Sequence, residues 1–286
     1  MRKLLLGLIG SGIQRSLSPA LQEEEARQHG LRLHYQLIDL APAGAGVEAL
    51  PGLISAVRIM GFDGLNITYP CKQAVIPLLD SLSDEARAMG AVNTVVRQGS
   101  RLTGYNTDGP GWSWGFRRAL PGANLSRVVL LGAGGAGAAV GYAALGLGVQ
   151  ELWISDVDPS RAAALASKLQ LAFPGRKAIH ITKLETSILS ATGLIHATPT
   201  GMAATPGMPL DAALLRKDLW VSEVVYVPLE TELLKAAKRA GCRVMDGGHM
   251  NVGQAVGGFK LFTGLDADPA RMETHFRRIV SPAVAA

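Results

Sequence analysis

At 286 residues the chain is about twice the common domain length, so two domains with separate cores are expected. A hydrophobic content of 48% excludes a disordered or fibrous chain, and the net charge of +5 is spread without a Lys/Arg run or basic–aromatic alternation, which fits small anionic ligands and no nucleic acid. Cys71 and Cys242 form neither a disulfide framework nor a CxxC pair, which fits a reducing compartment and no metal site.

The opening MRKLLLGLIGSG imitates a secretory leader, but its apolar run is short and no small-residue cleavage site precedes Gln14-Arg15. It reads as a buried first strand, KLLLGLIG. No apolar segment approaches the roughly 20 residues that span a bilayer, so a cytoplasmic protein without a membrane partner is expected. SPALQEEEARQHG reads as a helix with Ser18 at its N-cap and Pro19 at N1. LHYQLIDL is a second strand, EALPGLISAVRIMG a helix interrupted early by Pro51, and FDGLNITYP a third strand. The order βαβαβ implies a parallel sheet covered by helices. After that strand comes Lys72, which reads either as a solvated lysine opening a helix or as a lysine in a cleft, where desolvation lowers its pKa and suits it to proton transfer. GAVNTVV places Asn93 inside an apolar run, where a buried amide needs partners. TGYNTDGPGWSWG, rich in glycine and turn formers, reads as the join between domains and carries Asp108.

A second series starts at RVVLLGAGGAG and continues through the helix AAVGYAALGLG, the strand ELWISDVD, the helix PSRAAALASKLQ, and strands near GLIHAT and WVSEVVY. Gly132-x-Gly134-x-x-Gly137 lies between an apolar strand and a small-residue helix, the setting in which GxGxxG specifies a dinucleotide site. Its glycines let the backbone approach a pyrophosphate at a helix N-terminus. Asp156, at the end of the next strand, is placed to accept the adenosine ribose hydroxyls and to repel a 2′-phosphate, which favours NAD over NADP. Asp158 reads equally as an N-cap, and Arg161 either as a solvated first-turn residue or as a guanidinium that stacks on adenine or meets a phosphate. Ser16 and Ser18 put two hydroxyls at a helix N-terminus, a place for a carboxylate.

Seven motifs in order resemble the shikimate/quinate dehydrogenase family: Ser16-Leu17-Ser18-Pro19, Asn66-Ile67-Thr68-x-Pro70-x-Lys72, Ala91-Val92-Asn93-Thr94, Asn106-Thr107-Asp108-Gly109, Gly132-Ala133-Gly134-Gly135-Ala136, Ala197-Thr198-Pro199-x-Gly201-Met202, and Gly247 through Gln254. The resemblance implies an α/β protein of two domains: residues 1–104 bind substrate, residues 105–246 form a Rossmann-type NAD domain, and the helices of 247–286 return to the first part. It implies Lys72 and Asp108 as the catalytic pair, with the proton carrier left open between them. Ser16 and Ser18 would hold the substrate carboxylate, with Tyr226 near it. Thr68, Asn93, Asp108 and Gln254 would bind ring hydroxyls. Gly132, Ala133, Gly134, Gly135, Ala136, Gly137, Asp156, Arg161 and Thr198 would bind the cofactor, Val224 and Gly247 would line the nicotinamide through their backbones, and Met250 would pack nearby.

The activity so implied is reversible, NAD-dependent oxidation of a ring hydroxyl of shikimate, with quinate as a further substrate. The protein would act as a monomer or homodimer. The alternatives are a dehydrogenase of another cyclic polyol acid, such as aminoshikimate, and an idle NAD-binding module. Ser155-Asp156-Val157 resembles the NAD-using branch rather than the basic loop of NADP-using members. Two residues depart from the family pattern. Cys71 stands where an aromatic is common and is expected to alter packing only. His196 stands in place of an asparagine and is expected to be a satisfied structural histidine.

Overall fold

The computed structural model describes residues 3–280; Met1, Arg2 and residues 281–286, which close the expected outer domain ranges, lie outside the described residues. The chain divides into two compact units: the described residues up to Thr107 with those from Gln254 onward, and Asp108–Gly253. The breaks fall a few residues beyond the expected 104/105 and 246/247.

The first unit opens with β1 (Lys3–Gly10), α1 (Ser18–Gln28), β2 (Arg32–Asp39), α2 (Leu50–Met60) and β3 (Gly64–Ile67). It continues with α3 (Cys71–Ala74), β4 (Ser81–Leu82), α4 (Asp84–Met89), β5 (Thr94–Gln98) and β6 (Arg101–Tyr105). The sheet order is β2-β1-β3-β5-β6-β4. The expected βαβαβ core is present and parallel, but β5 runs antiparallel to both β3 and β6, so the sheet is mixed. The extra strands form a hairpin turning at Gly99, whose positive φ of 62° suits the tight turn. Leu6 and Leu8 pack on one face of the sheet while Ile9, Leu65 and Ile67 pack on the other, so β1 is apolar on both sides, as a central parallel strand must be.

Two local expectations are corrected. Leu17, not Ser18, holds the N-cap position of α1 and no side chain caps it, because Ser18 is already helical. Pro51 does not interrupt α2 but sits in its first turn, where a missing N–H costs nothing. Thr103–Gly115, expected to hold the join, contains the break after Thr107 and comprises the end of β6 and most of α5 (Asp108–Ala119), in which Trp112 and Phe116 are buried.

The second unit follows α5 with β7 (Arg127–Leu131), α6 (Gly135–Leu147), β8 (Glu151–Ser155), α7 (Pro159–Ala172) and β9 (Lys177–His180). Next come α8 (Leu184–Ser190), β10 (Gly193–His196), β11 (Trp220–Glu223), α9 (Glu232–Arg239) and β12 (Val244–Met245). Helix α10 (Gly247–Thr263) carries the chain back to the first unit, where α11 (Pro269–Val280) ends the described residues. The six strands are all parallel in the order β12-β11-β10-β7-β8-β9. Val128 and Leu130 face a core shared with α5, α6 and α7, while Val129 and Leu131 face one shared with α8 and α9. The period-two pattern of β7 therefore places helices on both faces. No helix among the described residues is long and apolar enough to cross a membrane.

Candidate active site

In an open parallel sheet, ligands bind at the carboxyl edge where the strand order reverses. Here that point is β7, flanked by β8 on one side and β10 on the other. The glycine motif begins where β7 ends: Gly132 has φ +101° and its N–H donates to the Ser155 carbonyl at 2.8 Å. A side chain at Gly137 would collide with the Gly132 carbonyl, and one at Gly132 with the Ala197 carbonyl carbon at 2.8 Å. Each of those glycines is therefore required by contact with backbone. Gly134 holds the N-cap position of α6 without a side chain, so the N–H groups of Gly135, Ala136 and Gly137 in its first turn form the anion-binding end of the helix. The residues fit a dinucleotide pyrophosphate.

Asp156 turns its carboxylate into this loop. Oδ2 accepts the Ala133 N–H at 2.7 Å and Oδ1 accepts the Asp158 N–H at 3.0 Å. A carboxylate offers about four acceptor positions, so about two stay available to a diol. Asp158 caps α7 by accepting the N–H groups of Ser160 and Arg161, and those bonds, led by those from Ser160, hold its carboxyl below the usual range. The exposed Arg161 brings a guanidinium nitrogen to 3.5 Å from where a Gly134 Cβ would stand, so its head lies over the glycine loop.

On the other side of β7, His196 and Glu223 end β10 and β11 as register partners, both fully buried. His196 Nδ1 lies 2.8 Å from Glu223 Oε1, and Nε2 lies 2.5 Å from Thr198 Oγ1. Glu223 Oε1 also accepts the N–H groups of Val224 and Val225 at 2.9 and 3.0 Å, and Oε2 accepts the Thr231 hydroxyl at 2.9 Å. Gly247 is packed against the Val224 carbonyl, Met250 is buried in the adjoining core, and Tyr226 is half-buried in the segment after β11. Sequence reasoning missed Glu223, whose one signal is an acidic residue inside the apolar run WVSEVVY.

In the first unit, Asn93 is the centre of a buried polar chain. Its Nδ2 donates to Thr107 Oγ1 at 2.9 Å, and its Oδ1 accepts the Thr107 N–H at 2.8 Å and the Thr94 hydroxyl at 3.0 Å. The chain extends from Thr94 to Asn66 Nδ2 at 3.0 Å and from Asn66 Oδ1 to the Tyr35 hydroxyl at 2.7 Å. The expected partners of Asn93 thus exist, and they fix the residue immediately before Asp108. Asp108 itself is buried and opens α5. Lys72 is half-buried in the short α3, and its carbonyl accepts the Val92 N–H at 2.8 Å, which ties α3 to the segment leading to Asn93. Thr68 lies at the end of β3, with its N–H bonded to the Ile9 carbonyl at 2.9 Å. Ser16 and Ser18 stand together at the start of α1, where Ser16 Oγ accepts the Ser18 N–H at 3.3 Å. Gln254 is half-buried on α10. Cys71 is fully buried among the apolar residues beneath α3, and burial pushes its thiol pKa up. Among the described residues no group of three or more His, Cys, Asp or Glu side chains could hold a metal ion.

A doubly wound unit with a dinucleotide turn, on one chain with a mixed-sheet unit that buries a polar chain around Asn93, defines a two-unit dinucleotide-binding α/β protein. The family model for the shikimate dehydrogenase substrate binding domain matches residues 8–95. The chain is 56% identical to the shikimate dehydrogenase (NADP(+)) of Streptomyces avermitilis over 94% of this chain and 93% of that protein. It is 47% identical to the quinate/shikimate dehydrogenase (NAD(+)) of Corynebacterium glutamicum over 96% of this chain and 98% of the relative. The quinate dehydrogenase from Corynebacterium glutamicum, solved in complex with NAD, superposes with a TM-score of 0.89 at 46% identity, covering 97% of this chain and 100% of that one. The chain belongs to the shikimate dehydrogenase family and is an oxidoreductase of the shikimate/quinate dehydrogenase kind that uses a nicotinamide cofactor.

Proposed function

We propose that the protein reversibly oxidises the ring secondary hydroxyl of shikimate to 3-dehydroshikimate in the cytoplasm, accepts quinate as a second substrate, and prefers NAD to NADP. The observation that carries the cofactor preference is Asp156, whose carboxylate is fixed beside the glycine loop by the N–H groups of Ala133 and Asp158. It has acceptor positions left for two ribose hydroxyls, and a 2′-phosphate in their place would meet its negative charge. The relative solved with NAD supports this reading, while the more similar Streptomyces protein carries an NADP name.

A bound nicotinamide would supply the acceptor for the hydride that leaves the carbinol carbon. Lys72 and Asp108 handle the hydroxyl proton as a pair, one as the base and the other as the group that orients base and hydroxyl. Ser16 and Ser18 hold the carboxylate with Tyr226 nearby, and Thr68, Asn93 and Gln254 bind the remaining hydroxyls. Asn93 suits that role because its amide orientation is set by Thr94 and Thr107. The domain roles follow: the first unit holds the acid and the second the dinucleotide. Initial rates for shikimate and quinate, each with NAD and NADP, test the assignment. Shikimate with NAD should give the highest kcat/KM, and a preference for NADP would mean that Asp156 does not meet the ribose.

A further inference from the structure

The buried Glu223–His196 pair has no part in the proton transfer proposed above, yet it costs free energy to bury. Removing two ionisable groups from water is repaid only when their hydrogen bonds are satisfied, and a core built for stability alone does as well with apolar residues. Here the satisfaction is nearly complete. The Glu223 carboxylate accepts two backbone N–H groups on Oε1 and the Thr231 hydroxyl on Oε2, and with Oε1 already accepting, His196 Nδ1 serves as the donor in their 2.8 Å contact. That bond fixes the ring and aims Nε2 at the Thr198 hydroxyl, 2.5 Å away. Thr198 Oγ1 also accepts the Thr200 N–H at 3.3 Å.

The pair therefore holds two segments at once. One is Ala197–Thr200, whose first residues press on Gly132 of the glycine loop. The other is Val224–Val225, whose N–H groups end on Glu223 and whose carbonyls pack on Gly247. Strand order gives the place of these segments along a bound dinucleotide. Asp156 follows β8 and the glycine loop follows β7, so adenosine falls on the β8 side and the pyrophosphate over β7. The other half of the molecule then extends over the carboxyl ends of β10 and β11, where His196 and Glu223 stand.

We propose that Glu223, His196 and Thr198 act together as positioning residues for the nicotinamide ring of the cofactor, with Glu223 setting the Val224–Val225 wall and His196 setting the Thr198 wall. The inference rests on the dinucleotide reading of the glycine loop but is independent of the substrate and of Lys72. His196→Asn shortens the side chain, keeps a donor near Nδ1 and loses the reach to Thr198. Thr198→Val removes the hydroxyl at a partly exposed position where folding is safe, and Thr198→Ser retains it.

The test is calorimetric titration, without any acid substrate, with NAD and with ADP-ribose, which lacks the nicotinamide. NADP and 2′-phospho-ADP-ribose run beside them serve if the phosphorylated cofactor binds more tightly. His196→Asn and Thr198→Val should each weaken the full dinucleotide about tenfold, the worth of one well-placed hydrogen bond, and leave ADP-ribose within twofold. Thr198→Ser should bind both as the wild type does. Equal losses for dinucleotide and ADP-ribose, or no loss for either, would overturn the proposal and leave the cluster a piece of core. A failure to oxidise shikimate would count against the proposed function alone.

Discussion

Replacing Asp156 by Asn separates the two tasks that the structure gives this side chain. An asparagine Oδ1 keeps one acceptor for either the Ala133 or the Asp158 N–H, which the carboxylate holds at 2.7 and 3.0 Å, while the charge is lost. Asp156 is half-buried, so a 2′-phosphate about 4 Å from it meets a repulsion between the bulk-water and surface limits, about 1–4 kcal/mol per unit charge. Removing it should shift the ratio of kcat/KM for NAD to that for NADP by at least about fivefold toward NADP, the effect of about 1 kcal/mol. Loss of a charged acceptor for the ribose should account for part of that through weaker NAD, and Arg161, already over the glycine loop, should supply a partner for the phosphate. The assay is initial rate against each cofactor at saturating shikimate and low ionic strength, repeated at high salt, where the wild-type discrimination should shrink. A ratio unchanged within twofold would refute the argument and leave Asp156 only a strut between two loops.

Lys72→Ala should abolish most turnover while leaving dinucleotide affinity intact by titration, and the double variant with Asp108→Asn should be little slower than either single, since coupled groups are not additive. Ser16→Ala and Ser18→Ala should raise KM for the acid more than they lower kcat, and Ser18→Ala should leave Tm nearly unchanged because no side chain caps α1. Gly137→Ala should abolish dinucleotide binding and cost about 2–3 kcal/mol in denaturant unfolding, because the new methyl meets the Gly132 carbonyl. Burial alone would raise the pKa of Glu25, but hydrogen bonds from Arg271 and the Asp268 N–H outweigh it and the net shift is downward. With the folded value below the unfolded one near about 4.3, its contribution is present above that pH and is lost as pH falls through the folded value. Glu25→Gln should therefore lower stability at pH 7 and flatten the acid limb of a Tm–pH curve; parallel wild-type and variant limbs would contradict the shift.

The sequence alone determined the features that depend on short-range pattern. An apolar strand, three glycines at fixed spacing and a small-residue helix allow few folds other than a dinucleotide turn, and the turn stands where the pattern put it. Asp158 followed by Pro159 likewise announced a helix start, because capping is settled by the next three residues. The mixed sheet was less legible: the apolar run of GAVNTVV reaches into β5, but the presence and antiparallel direction of β5 and β6 depend on pairing with β3, far away in sequence. The glycines and turn formers of Thr103–Gly115 carried no sign of α5, which is held by Trp112 and Phe116 in a core assembled from strands up to Met245. Burial and pairing across the sheet decided the rest. Nothing around His196 announces that Glu223, 27 residues later, ends the neighbouring strand in register with it. Only the parallel pairing of β10 with β11 brings the two together and turns two isolated polar residues into one buried, hydrogen-bonded unit.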